Sequence, residues 1–222
     1  MIKFTKVTTL ILLFFSLSTY VPKHKSQSKS IIFPIEKIKI ENNVVVNRSD
    51  LIKKLEFLKG KNLLFVDLKK IEIHLKKFDF ISSFKVNKVY PQTINIIIFE
   101  KKPIAIYSED KKLYYISEEG DLINYLDIIQ YKSLPIVFGK NRKFNIFYKN
   151  LININFPINE IKSYHYFKIG RWDINLKNNK TIKLPRENYV EALNNFSLIK
   201  NNKSFYNYNI FDYRIKDQLI LN

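Results

Sequence analysis

The side chains able to do chemistry are few and scattered. The chain has three histidines, His24, His74 and His165, and no cysteine. Without thiols there is no disulfide scaffold, no thiolate zinc centre and no cysteine nucleophile. No two histidines share a metal-ligand spacing. His24 lies in a Lys/Ser-rich stretch and His74 on a polar helix face. His165 sits among aromatics, where a packed or edge role outweighs a catalytic one. None of the four glycines, Gly60, Gly120, Gly139 and Gly170, opens a phosphate-cradling loop or a nucleophile elbow. The acidic pair Glu118-Glu119 falls in a turn, where solvated carboxylates are ordinary. These patterns point away from an enzyme and imply no metal, cofactor or small-molecule substrate. A secreted hydrolase using two distant carboxylates remains the alternative from a different class. The chemistry left is that of the main chain. The last strand of the sequence, Gln218 to Leu221, has no later strand to cover it, and Leu219-Ile220-Leu221 is apolar. An uncovered edge offers unpaired N–H and C=O groups. Ile215, Asp217, Gln218, Leu219, Ile220 and Leu221 are therefore the candidate partner-binding residues.

Composition bounds what can present such an edge. At 222 residues the chain is long enough for one large or two small domains with a real core. Hydrophobic residues are 46% and charged residues 26%, which excludes a disordered chain. The net charge of +18 suggests nucleic acid or anionic membrane at first sight. Composition weakens the first of these. The 34 Ile, 33 Lys and 24 Asn stand against 2 Ala and 5 Arg, the signature of AT-rich coding. Nucleic-acid sites favour arginine for bidentate contacts, and here the lysines are spread along the chain. A solvated lysine surface is expected, with no nucleic-acid partner.

Val7 to Val21 is a 15-residue run without a charge. At 1.5 Å per residue it spans ~22 Å, short of the ~30 Å hydrocarbon core, unless Ile2 and Phe4 extend it while Lys3 and Lys6 snorkel. Residues 1–22 read as a membrane anchor or as a cleaved secretory signal with a poor Ser16-Leu17-Ser18 site; a buried core helix is the plain alternative. Residues 23–32 read as a linker.

Two folded units are expected beyond it, giving an α+β protein. In residues 33–102 a strand with alternating Ile38 and Ile40 is followed by a helix capped at Asn47 or Ser49, with Leu51, Ile52, Leu55 and Leu58 on one face. Gly60 closes that helix. Asp67 caps a second helix with Leu68, Ile71 and Leu75. Phe84 to Lys88 alternates, Tyr90-Pro91-Gln92 turns, and Ile94 to Phe99 is apolar on both faces, as in a strand covered on both sides. The order is βααββ. In residues 103–222 short strands separated by turn residues, with helices near 144–154 and 187–196, predict a mostly antiparallel sheet with two helices. Each unit is expected to have its own core, joined near Lys101-Lys102-Pro103.

These stretches resemble a known family. Phe33-Pro34-Ile35-Glu36-Lys37-Ile38, Phe84 through Ile94 with its Tyr90-Pro91-Gln92-Thr93 turn, and Glu100-Lys101-Lys102-Pro103-Ile104-Ala105 are similar to the POTRA domain of the bacterial FtsQ (DivIB) cell-division family. Ile116 to Gly120, Leu134 to Gly139, Trp172 to Leu176 and Phe211-Asp212-Tyr213-Arg214 resemble its later stretches. The resemblance covers about residues 33 to 222. It implies a single-pass inner-membrane protein, N-terminus cytoplasmic and bulk periplasmic. It further implies a divisome scaffold that binds FtsB and FtsL without enzymatic activity, with the partner site at the C-terminal strand. Another POTRA-type envelope assembly adaptor is the nearest competing reading.

Overall fold

The computed structural model describes residues 8–9, 11–15, 31–140 and 143–222. Most of the apolar run 7–21 and of the 23–32 linker lies outside them; residues 8–9 and 11–15 are helical. Among the described residues no helix is long and apolar enough to cross a membrane.

The first sheet has three strands in the order β1-β3-β2: β1 (Lys37–Glu41) runs parallel to β3 (Thr93–Glu100), and β2 (Ile81–Val89) antiparallel to it. Two helices, α1 (Arg48–Leu55) and α2 (Leu68–Leu75), cover one face. Both begin at the caps the sequence announces. Asn47 accepts from the Ser49 N–H, and Asp67 accepts from those of Lys69 and Lys70, satisfying donors that a first turn leaves orphaned. Leu51, Leu55, Ile71 and Leu75 point inward and meet Ile38, Ile40, Ile94, Ile96 and Ile98. β3 is central in the plane, but only one of its faces is covered. Asn95 and Ile97 are half-exposed and Phe99 is exposed, because both helices lie on the other side. The run of isoleucines overstated the burial.

One carboxylate ties this sheet's far end. Glu100, the last residue of β3, accepts the main-chain N–H groups of Val44, Val45 and Val46 at 3.0, 2.8 and 2.9 Å. The loop leaving β1 is thereby pinned to the strand that leads out of the unit. Asn42, at φ +63°, donates to the Ile98 carbonyl at 2.9 Å and completes the tie.

The second sheet has nine strands in the order β12-β11-β10-β9-β8-β7-β4-β5-β6. They are β4 (Pro103–Glu109), β5 (Lys112–Ser117), β6 (Leu122–Asn124), β7 (Ile136–Phe138), β8 (Ile161–Phe167), β9 (Arg171–Leu176), β10 (Thr181–Lys183), β11 (Ile210–Asp212) and β12 (Ile220–Leu221). Most neighbours are antiparallel; β4/β7, β7/β8 and β10/β11 are parallel. Helices α3 (Phe144–Asn153) and α4 (Tyr189–Ile199) make the crossovers into β8 and β11 and pack on one face of the sheet. One register row, Tyr107, Val137, Tyr164, Ile174, Ile182 and Phe211, forms the helix-covered face. Phe147 stacks on Trp172 with ring centroids 4.7 Å apart, and Phe196 meets Phe211 edge-on at 5.0 Å.

The two cores are not separate at the joint. Ile106, Tyr115 and Ile123, from β4, β5 and β6, belong to the first unit's core together with Phe80 and Ile81. The Tyr115 ring meets Phe80 edge-on at 6.0 Å while its hydroxyl donates to the Leu126 carbonyl at 2.6 Å. Only Lys101 and Lys102 separate β3 from β4, so the outer face of the second sheet is carried directly against the end of the first.

Replacing Ile96, which is fully buried, by Ala should cost ~2–5 kcal/mol in a urea titration. Glu100→Ala should cost about 1.5–3 kcal/mol, the range for hydrogen bonds to a charged group. Lys69→Ala, on the exposed side of α2, should change stability by no more than ~0.5 kcal/mol.

Candidate partner-binding edge

The candidate site is where the nine-stranded sheet ends. Phe211 is fully buried and fixes β11 in the core, and its neighbour Tyr213 donates its hydroxyl to Asn195 of α4 at 2.9 Å. The Tyr213 N–H donates to the Lys183 carbonyl at 2.9 Å, which holds β11 to β10. The chain then turns through residues 214–219. Asp217 takes φ +58°, a conformation Asp tolerates, and the Gln218 N–H donates to the Ile215 carbonyl at 3.2 Å. β12 returns antiparallel, pairing Ile220 with Asp212 and Leu221 with Phe211.

The hydrogen bonds fix which way the edge faces. The Ile210 N–H donates to the Asn222 carbonyl at 2.8 Å and the Asn222 N–H to the Ile210 carbonyl at 3.1 Å. Residues 210 and 222 are thus a hydrogen-bonded pair. In an antiparallel ladder such pairs alternate with non-bonded ones. Ile220 therefore bonds inward to Asp212, while the N–H and C=O of Leu221 point away from β11. Among the described residues no strand pairs with that outer side. Side chains follow the same alternation. Leu219 and Leu221 are half-buried against the core, and Ile220 is 44% exposed on the opposite face.

Of the six candidate residues, Ile215, Asp217 and Gln218 lie in the turn, and Leu219, Ile220 and Leu221 lead into and form the edge. The strand is shorter than the Gln218–Leu221 expected: its ladder covers Ile220–Leu221. Gln218 is taken out of it by its bond back to Ile215. Helix α4 packs on the core face through Leu193 and Phe196. A groove of ≈ 680 Å³ opens between its first turns and the 213–219 segment, bounded by Arg186, Asn188, Glu191, Ile215 and Leu219.

Sequence reasoning missed the lock behind this hairpin. Asp212 is buried and receives Arg214 Nε at 2.7 Å and the Arg214 main-chain N–H at 3.1 Å. Burial pushes the Asp212 carboxyl up, but the hydrogen bonds and charge of Arg214 outweigh it, and the group sits below the usual carboxylate range. The signal was available: Arg214 stands two residues past Asp212, and in extended chain residues two apart share a face. Across the sheet the same outer row continues through Lys183, Asp173 and His165. Asp173 is also buried and, with Arg171 Nε 3.4 Å away, has its carboxyl raised by burial. His165 stacks on Phe138 and contacts the Ser163 hydroxyl at 3.2 Å. Burial lowers its pKa, with Asp173 pulling the other way. Among the described residues no cluster of His, Cys, Asp and Glu could hold a metal ion.

The model of the POTRA domain, FtsQ-type, matches residues 33–101, and that of the C-terminal domain of cell division protein FtsQ/DivIB matches residues 105–214. The cell division protein FtsQ of Rickettsia bellii is 34% identical over 192 residues, covering 84% of this chain and 71% of the relative. That of Rickettsia conorii is 32% identical over 209 residues, 91% of this chain and 77% of the relative.

The chain belongs to the FtsQ/DivIB family.

The family is one of membrane-associated, non-enzymatic cell-division proteins. The first family match stops one residue after Glu100, and the second ends on Arg214.

The Asp212–Arg214 lock has a pH signature. A carboxyl whose folded-state pKa lies below its unfolded value contributes stability above the unfolded pKa and loses it as pH falls through the folded one. Asp212→Asn should therefore be less stable than the parent at neutral pH, and the gap should close as the solution is taken below about pH 4, the ordinary Asp range. Urea titrations of both chains at the two pH values read this directly.

Proposed function

We propose that this FtsQ/DivIB-family protein is a single-pass inner-membrane scaffold of the divisome. Residues 1–22 anchor it with the N-terminus cytoplasmic, residues 23–32 form a linker, and the POTRA-like unit 33–102 and the β unit 103–222 lie in the periplasm. It binds FtsB and FtsL and catalyses no reaction. The open edge of β12 accepts an extended segment of FtsB as a tenth strand. The observation that carries this reading is the outward direction of the Leu221 N–H and C=O at the uncovered end of the sheet. Strand addition draws affinity from such main-chain groups and specificity from alternate side chains. Leu219 and Leu221 supply a partly buried apolar seat on one face, and Ile220 an exposed one on the other. The Asp212–Arg214 pair and the Tyr213–Asn195 bond hold β11 still, so that β12 presents a fixed register.

Proline substitution separates binding from folding, because it deletes one N–H. Ile220→Pro removes the donor turned toward Asp212 and should destabilise the hairpin. Leu221→Pro removes the donor turned outward and should leave the fold intact while abolishing capture of FtsB. Leu221→Ala, which keeps the N–H, should retain most of the capture. Capture by Leu221→Pro equal to that of the parent would sink the edge as the site. N-terminal sequencing of the mature protein checks the anchor: a start at residue 1 or 2 is expected, and a start near Thr19 or Tyr20 would mean a cleaved signal.

A further inference from the structure

The entry end of the first unit carries a second apolar feature that the divisome reading does not use. The chain reaches β1 through Ile31, Ile32 and Phe33, all exposed. Phe33 packs edge-on against Tyr90 with ring centroids 5.3 Å apart, and its carbonyl accepts the Leu63 N–H at 2.9 Å. Leu63 opens a short turn whose next residues, Leu64 and Phe65, point out; Phe65 is 82% exposed. The Lys88 ammonium donates to the Leu64 carbonyl at 2.7 Å, drawing the end of β2 to the same place. Ile32, Phe33, Leu64, Phe65 and Tyr90 thus gather at one end of the sheet. Lys61, Lys69 and Lys88 stand among them, against the acids Glu36 and Asp67, and Asp67 is engaged in capping α2.

We propose that this end of the POTRA-like unit rests on the membrane surface and inserts Phe65 and its neighbours among the headgroups of anionic lipid. The proposal rests on the anchor reading of residues 1–22. Two arguments favour a bilayer as the occupant. The first is the tether. Nine residues, 22–30, separate the apolar run from Ile31. Fully extended they reach ~30 Å, so the patch is held close to the lipid at an effective concentration that lets a weak contact form. The second is composition. Exposed aromatic and aliphatic side chains mixed with lysines match the amphipathic membrane interface, where aromatic rings sit at headgroup level and lysine ammonium groups meet anionic headgroups.

The absence of cysteine makes the test clean. Phe65→Cys and Leu198→Cys, the latter 81% exposed on α4, are labelled with an environment-sensitive fluorophore in the full chain. Both are reconstituted in nanodiscs of phosphatidylethanolamine and phosphatidylglycerol carrying headgroup-proximal spin-labelled lipid. The expected result is blue-shifted emission and several-fold stronger quenching at 65 than at 198, reduced when phosphatidylcholine replaces the anionic lipid. Equal quenching at the two sites, or indifference to anionic lipid, overturns the proposal. So does shielding at 65 that appears in detergent and grows with protein concentration, which would identify a second copy of the chain as the occupant. Resistance to alkaline carbonate extraction reports the anchor separately. A chain retained in the membrane but unquenched at 65 overturns this surface alone; a chain washed away overturns the anchor reading and this inference with it.

Discussion

The structure depends on one register row. Tyr107, Val137, Tyr164, Ile174, Ile182 and Phe211 face the two helices of the second unit and put each of their strands on a common pleat. A slip of one residue in any strand would exchange its faces and bury the charged row Asp212, Lys183 and Asp173 against aromatics. The same constraint runs to the end of the sheet. Because Phe211 is inward, its partner Leu221 is inward too, and Leu221 then has its main-chain groups turned to the open side. The open edge is therefore a consequence of core packing, with no dedicated side chain needed to create it.

Charges secure what hydrophobic packing leaves loose. Both ties use a carboxylate: Glu100 reaches back along the chain to the loop after β1, and Asp212 takes Arg214 two residues on and holds the strand before the final turn. They act at opposite ends of the folded region. The first fixes the strand that leads into the second sheet. The second fixes the strand on which β12 is laid. Between them, the shared core of Phe80, Tyr115 and Ile123 joins the two sheets. The lysines, by contrast, mostly project into solvent, as their scatter through the sequence suggested.

What was legible in the sequence was local. Asn47 and Asp67 as caps, Gly60 past the first helix and the βααββ order all follow from short-range chemistry. The closing strand was legible as the apolar run Leu219-Ile220-Leu221. What was not legible was long-range. The placement of β7 between β4 and β8, parallel to both, brings together residues 106, 136 and 163. No periodicity in Leu134 to Gly139 names those neighbours. The isoleucines of β3 gave the wrong burial for the same reason: a run of apolar side chains says that a strand is central, not which of its faces a helix will cover. The short β6 at Leu122–Asn124 escaped notice because three residues carry no period.

The account turns on the direction of a single peptide group. The most direct test is binding of FtsB to the full-length Leu221→Pro chain, measured beside its urea stability and beside Leu221→Ala. The account predicts near-parental stability, with capture lost in the proline variant and largely kept in the alanine variant. Parental capture by a folded Leu221→Pro chain would contradict it.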